Sequence, residues 1–225
     1  MAESDNILAD TPGIPEDSAR FRLEQYERLL ESSHGDIDMK GWNEWRENNP
    51  TEKIALCKAP LKDKDLEGAN LQGADLSQAN LRGAVLKNVN LQGADLSLAN
   101  LQESKLSYAN LQRTLLRDAD FQRAYLTNAN LQEADLENAN IVAAKLEGAN
   151  LQGVEGPCAR FQTAGLFRAN LRGAYLEAAN FQEADLRAAD LRGADLSNCN
   201  LQRAELSNAK LRGAMLRKAK LHGAV

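Results

Sequence analysis

The chain has 225 residues, enough to bury a core, but only 5% of them are aromatic. With mean hydropathy at -0.49, an ordinary globular interior of large side chains is under-supplied, so another packing scheme must operate. The formal charge of -5 is uneven: residues 1–60 hold 13 Asp/Glu against 7 Lys/Arg, whereas residues 61–225 hold 19 against 20.

The opening stretch MAESDNILADTPGIPEDSAR has no basic segment leading into an apolar one. No run anywhere approaches the ~18 apolar residues of a membrane span. A cytoplasmic location without a membrane partner is therefore expected. Residues 1–16, with Pro12, Pro15 and small polar side chains, are expected to form a mobile tail. Asp17 or Ser18 then N-caps a helix over 18–32, whose Phe21, Leu23, Tyr26, Leu29 and Leu30 make one apolar side. After a turn at 33–35, a second helix over 37–48 sets Met39, Trp42 and Trp45 three apart on one stripe, and Asn49-Pro50 ends it. Residues 17–60 thus read as a helical cap and linker, with Met39, Trp42 and Trp45 covering the near end of residues 61–225.

Those remaining residues are built on a repeat. From Leu61 to Leu221 every fifth residue is Leu, Ile or Phe at 32 of 33 positions, Gly156 being the exception. Two residues before each stands Ala in 27 of the 33 cases; Val89, Val154, Ser104, Thr114 and Cys199 are near substitutes and Lys64 is the outlier. A period of five fits neither a helix nor a flat strand. Two inward residues flanking one outward residue do fit a very short strand, and the remaining pair, often Gln-Gly, Arg-Gly or Ser-Asn, fits a corner. Coils built this way stack and pair their edges. Phe121, Ile141, Phe161 and Phe181 are the only large residues other than Leu at the central position, and they are spaced by multiples of twenty. A four-sided coil stacks them in one column; a three-sided coil scatters them. Gln72, Gln92, Gln112, Gln132 and Gln152 share another such column, where side-chain amides are expected to ladder.

Residues 61–225 therefore read as an all-β solenoid of about eight coils, roughly 40 Å long at ~4.8 Å per coil. The departure VEGPCAR at 154–160 is expected to bulge, because Pro157 cannot donate to a ladder.

These blocks, such as LQGADLSQANLRGAVL, resemble the pentapeptide-repeat family with its motif Ala-(Asp/Asn)-Leu-X-X. The resemblance implies a right-handed quadrilateral β-helix. WNEWRENNP further resembles the stretch preceding the repeats in cyanobacterial-type members.

Catalytic chemistry is poorly supplied. There are two histidines, His34 and His222, and three cysteines without CxxC spacing, so no catalytic residue, metal or cofactor is expected. Asp75/Asp95 and Asp65/Asp185 share columns and admit a reading as paired carboxylates, but the motif itself explains them. Arg172, Arg192 and Arg212 form an outward column that reads as a solvated face, so nucleic acid is disfavoured as a partner. The family resemblance implies a non-catalytic interaction or scaffold module with an unidentified protein partner. Its alternative is a DNA-mimicking inhibitor of gyrase or topoisomerase, against which the near-neutral repeats count. Val85, Tyr108, Tyr125 and Phe167 stand at outward positions on one side and are the candidate partner surface. At the far end, Lys210, Arg212, Arg217, Lys218 and Lys220 are expected to protect the last coil, favouring a monomer over a dimer paired through that edge.

Overall fold

The computed structural model describes residues 16–33 and 39–225. Two helices open it, α1 (Glu16–Ser33) and α2 (Lys40–Asn48). The expected tail over 1–16 lies outside the described residues apart from Glu16, which already belongs to α1. α2 starts later than the expected residue 37, because Met39 takes a left-handed conformation with φ 51 and so precedes the first helical turn. Met39 and Trp42 are buried, and Trp45 is half-buried with its ring 5.3 Å from that of Trp42.

The repeat folds as a right-handed quadrilateral β-helix. Each side of a coil is a three-residue strand-like segment, and parallel bridges join residues twenty apart from Ala55↔Asp75 through Asn200↔Lys220. The first coil thus begins inside the stretch read as linker, with Ile54 and Leu56 taking the two inward positions ahead of Leu61. One outward residue donates to the coil before it and the next inward residue to the coil after it. Asn100 N donates to Ala79 O at 2.9 Å, and Leu81 N donates to Asn100 O at 2.7 Å. Each corner closes with a bond such as Ala84 N to Leu81 O, 3.0 Å, and its second residue has positive φ. Gly83 (φ 68) and Gly93 (φ 66) suit that position, as a type II turn requires.

Corner chemistry also explains the motif's Asp or Asn. In that outward place the side-chain oxygen accepts from the first corner N–H, as Asn90 Oδ1 does from Gln92 N at 3.2 Å. An amide ladder does form, but in the asparagine column rather than the glutamine column. Asn90 Nδ2 donates to Asn70 Oδ1, and the series continues through Asn110, Asn130, Asn150 and Asn170. Among the described residues no hydrogen bond joins Gln72, Gln92, Gln112, Gln132 and Gln152 to one another. The asparagines sit on the flat side, held by their own turns, whereas the glutamines project from corners.

The expected bulge at 154–160 is absent. Glu155 keeps its bridges to Asp135 and Tyr175, and Gly156 N still donates to Tyr175 O at 2.8 Å. Pro157 occupies the first corner position, whose N–H takes no part in the backbone ladder and whose φ proline fits. At Gly156 an added Cβ would meet Leu176 Cδ2 at 3.1 Å and Leu136 Cβ at 3.4 Å, so neighbouring leucines fill the space a leucine would have used.

Inside, the Leu and Ala columns are buried as far as Ala204, while Leu206, Leu211 and Leu216 at the last coil are half-buried and Leu221 is exposed; Phe161 and Phe181 stack with centroids 4.7 Å apart and planes 5° apart. Inward polar groups bond to backbone carbonyls: Ser104 Oγ to Leu101 O at 2.7 Å and Thr114 Oγ1 to Leu91 O at 3.0 Å.

The helices meet the first coil through side chains that imitate the missing coil before it. Gln25 Nε2 donates to Lys53 O at 2.8 Å while its Oε1 accepts from Ala55 N at 2.8 Å. Asn43 Nδ2 donates to Gly68 O at 3.0 Å while its Oδ1 accepts from Asn70 N at 2.8 Å. Trp42 Nε1 donates to Asn70 O at 2.9 Å, and Arg46 donates to Glu52 O at 3.0 Å and Gln72 O at 3.3 Å. Leu29, Met39 and Trp42 join the apolar core. Leu23, expected on the apolar side of α1, is instead 38% exposed, and Gln25 is buried in its stead by its bonds to Lys53 and Ala55.

Candidate functional site

Among the described residues the rod's interior is filled by its own side chains. The narrow space lined by Phe121, Leu126, Leu131, Leu136, Ile141, Leu146 and Phe161 is too small for a water molecule. The outward side chains form four sides, each a column of outward residues with a column of corner residues beside it.

One side runs Asp65, Val85, Lys105, Tyr125, Lys145, Gly165, Asp185, Glu205. Val85 and Tyr125 share this column two coils apart, and Tyr108 and Phe167 stand at the corners next to it. The four predicted partner residues are therefore on one side, but they differ in availability. Tyr108 is 59% exposed and Tyr125 41%. Val85 is half-buried; so is Phe167, over whose ring the guanidiniums of Arg168 and Arg187 lie at 4.8 and 5.8 Å. Lys145 Nζ lies 4.6 Å from the Tyr125 ring centroid.

The opposite side runs Asp75, Asp95, Leu115, Asp135, Glu155, Tyr175, Asp195, Met215, with Leu98, Asp118, Glu137 and Glu177 at its corners. Of the 19 acids and 20 bases in residues 61–225, this side holds eight and three, leaving 11 and 17 for the other three sides. Four of these eight carboxylates accept from neutral donors. Asp75 accepts from Ser77 N and Oγ, and Asp95 from Ser97 N. Asp195 accepts from Ser197, which holds its carboxyl below the usual range. Glu177 accepts from the Tyr175 hydroxyl at 2.6 Å and from Asn198 Nδ2 at 3.0 Å, and that carboxylate raises the pKa of the phenol. Two others face a cation: Arg117 bonds to Asp135 at 2.5 Å and lies 3.7 Å from Glu137.

The paired-carboxylate reading divides. Asp75 and Asp95 are bridged neighbours, while Asp65 and Asp185 are six coils apart in their column. Among the described residues no cluster of His, Cys, Asp and Glu is arranged to hold a metal. Cys199 is buried, its thiol donates to Leu176 O at 2.9 Å, and burial pushes it up to about 12. In the arginine column, Arg192 makes two bonds to Asp190 and draws that carboxyl down to about 2. The acidic side and its exposed apolar residues were missed by sequence reasoning that tallied charge along the chain. Sorting residues by their place in the twenty-residue period carries the signal.

A profile of pentapeptide repeats matches eight copies, over residues 65–102, 94–132, 119–155, 164–203 and 189–225. The chain belongs to the pentapeptide-repeat family. The segments skip the neighbourhood of Gly156 and Pro157, where the motif lapses. Among solved structures, this pentapeptide-repeat protein is similar to HetL, a pentapeptide repeat protein involved in heterocyst differentiation regulation from the cyanobacterium Nostoc sp. strain PCC 7120. The identity is 29%, covering 84% of this chain and 97% of HetL, with a TM-score of 0.43. It is also similar to QnrB1, a plasmid-mediated fluoroquinolone resistance protein: 20% identity, 69% and 88% coverage, TM-score 0.40. Rfr23, a pentapeptide repeat protein from the cyanobacterium Cyanothece 51142, shares 38% identity over 47% of this chain and 63% of its own, with a TM-score of 0.19. No curated protein matches significantly. No helix among the described residues is long and apolar enough to cross a membrane.

Proposed function

We propose that this pentapeptide-repeat protein is a non-catalytic interaction module that holds side chains in fixed array for a protein partner. The observation that supports this reading is the exposure of Tyr108 and Tyr125 on one flat side of a rod whose interior admits no ligand. Tyr108 also stands at a corner with φ 62, where glycine or asparagine fits at lower cost, so folding does not account for it. Large amphipathic side chains held rigidly at small entropic loss are what interface anchors require.

Affinity capture from a lysate of the source organism tests the reading. Wild-type protein is expected to retain a specific protein that the Tyr108→Glu, Tyr125→Glu variant loses, with both proteins melting alike. Retention by the variant would place the surface elsewhere; absence of any specific partner for either would remove the reading. The acidic side favours the DNA-mimicking alternative, since a row of carboxylates can stand in for phosphates. Inhibition of gyrase supercoiling would select that alternative.

A further inference from the structure

The side opposite Tyr125 combines two properties that the other sides do not. It carries eight carboxylates, and it carries Leu98, Leu115, Tyr175 and Met215, which are 58, 44, 42 and 39% exposed. Folding explains neither the leucines nor the tyrosine. The repeat accepts Asp or Asn at the column position, where either side chain bonds to its own corner, and Leu115, Tyr175 and Met215 forgo that bond. Leu98 holds φ 61 at a corner, a conformation that costs a leucine energy while burying little of it.

A partner for this side must cover apolar groups and neutralise carboxylates together, so it must be cationic and apolar on one face. The spacing decides between helix and strand. At ~4.8 Å per coil, Leu115 and Tyr175 lie roughly 14 Å apart along the rod and Tyr175 and Met215 roughly 10 Å. On a helix rising 1.5 Å per residue, anchors about 10 and then about 7 residues apart match these gaps to about 1 Å and fall within one apolar stripe about 100° wide. An extended strand at ~3.3 Å per residue takes about four and about three residues, and the odd step turns the third anchor away.

We propose that this acidic side is a docking surface for a basic amphipathic helix of a partner protein, laid along the rod. Its apolar side chains rest on Leu115, Tyr175 and Met215, and its lysines and arginines face Asp95, Glu155 and Asp195. The inference rests on the reading of the rod as an interaction module but uses a different side. A second copy does not supply the occupant: α1 carries five acids against three arginines, and α2 carries two of each charge. Encounter is steered by the carboxylates and is weakened by salt.

The test uses the full chain and a synthetic helical peptide of lysine and leucine with its leucines on one face. A scrambled peptide of the same composition is the control, and binding is read by fluorescence anisotropy at several salt concentrations. The decisive variant is Leu115→Asp with Tyr175→Asp, which restores the repeat's own residue and keeps the fold, while adding negative charge. If apolar anchors are required, this variant binds the helical peptide about tenfold more weakly than wild type. Asp95→Asn with Glu155→Gln is expected to weaken binding and flatten its salt dependence, and Tyr108→Glu with Tyr125→Glu to leave it unchanged. The proposal falls if the double-aspartate variant binds equally or more tightly, if the scrambled peptide binds as well, or if neither peptide binds. Loss of binding through Tyr108 and Tyr125 alone would overturn this surface while sparing the proposed function. Sedimentation showing a wild-type dimer that the double-aspartate variant dissolves would make the occupant a second copy and overturn the helix.

Discussion

The helical cap and the coiled rod solve the same hydrogen-bonding problem by different means. Within the rod, one peptide group answers another a coil away, as when Leu81 N donates to Asn100 O, and the arrangement repeats whatever the outward side chain is. Among the described residues no coil precedes the first. The carboxamides of Gln25 and Asn43 each present one donor and one acceptor in the places where a peptide group would present them. An edge left bare would expose unpaired N–H and C=O groups to strand addition. The difference teaches where specificity is needed: repetition makes most outward positions of the rod interchangeable, whereas the cap depends on particular residues used once.

The largest effect is expected where the rod is least interchangeable, in its core. Phe161→Ala removes a ring stacked on Phe181, and the ladders above and below hold the coils apart, so the void cannot close. A loss of about 3–5 kcal/mol is expected, measured as a lowered urea midpoint. A loss below about 1 kcal/mol would show that the coils can collapse inward, and the contrast between rod and cap would weaken.

Next come the two carboxamides. Gln25→Ala or Asn43→Ala orphans one N–H and one C=O of the first coil, a local cost of about 1–3 kcal/mol. Hydrogen exchange is expected to quicken at Ala55 or Asn70 respectively, while Leu131 and Leu151 in the middle of the rod keep their protection, because each coil contacts only its neighbours. Unchanged exchange at Asn70 in Asn43→Ala would show that the imitation of a peptide contributes nothing.

The smallest effect concerns the end of the asparagine ladder, where Asp190 replaces asparagine and pairs with Arg192. Since that pairing holds Asp190 at about 2, its stabilisation is present above the ordinary aspartate range and is lost as pH falls through the lowered value. The pair is partly solvated, so about 1 kcal/mol or less is expected. Asp190→Asn removes this acid dependence and offers Asn170 a further amide neighbour. Melting temperatures of wild type and variant are expected to converge as the pH is lowered from about 5 to about 2. Parallel curves would dismiss the pair as a contributor.

Much of the fold was legible because its signal is local and repeated. The column of Phe121, Ile141, Phe161 and Phe181 marks a twenty-residue coil, and the bridges keep that spacing. Pro157 misleads because a ladder was expected to need every N–H, whereas the first corner N–H is answered by a side chain where it is answered at all. The glutamine column misleads for a related reason: equal spacing does not make a ladder unless the side chains are also held flat. Of the candidate surface, the common side of Val85, Tyr108, Tyr125 and Phe167 comes from counting alone. That Phe167 lies under two guanidiniums and Val85 is half-buried does not.

By itself the sequence determined the period, the two inward columns and the corners, since each depends on residues within five of one another and is confirmed thirty times over in the bridge pattern. Tertiary structure alone decided that Gln25, a polar residue on the apolar side of α1, and Asn43, between two tryptophans, turn toward backbone groups about 30 and 27 residues away. No periodicity announces such contacts. They arise because an open edge of peptide groups must be satisfied by whichever donors and acceptors the adjoining segment brings within reach.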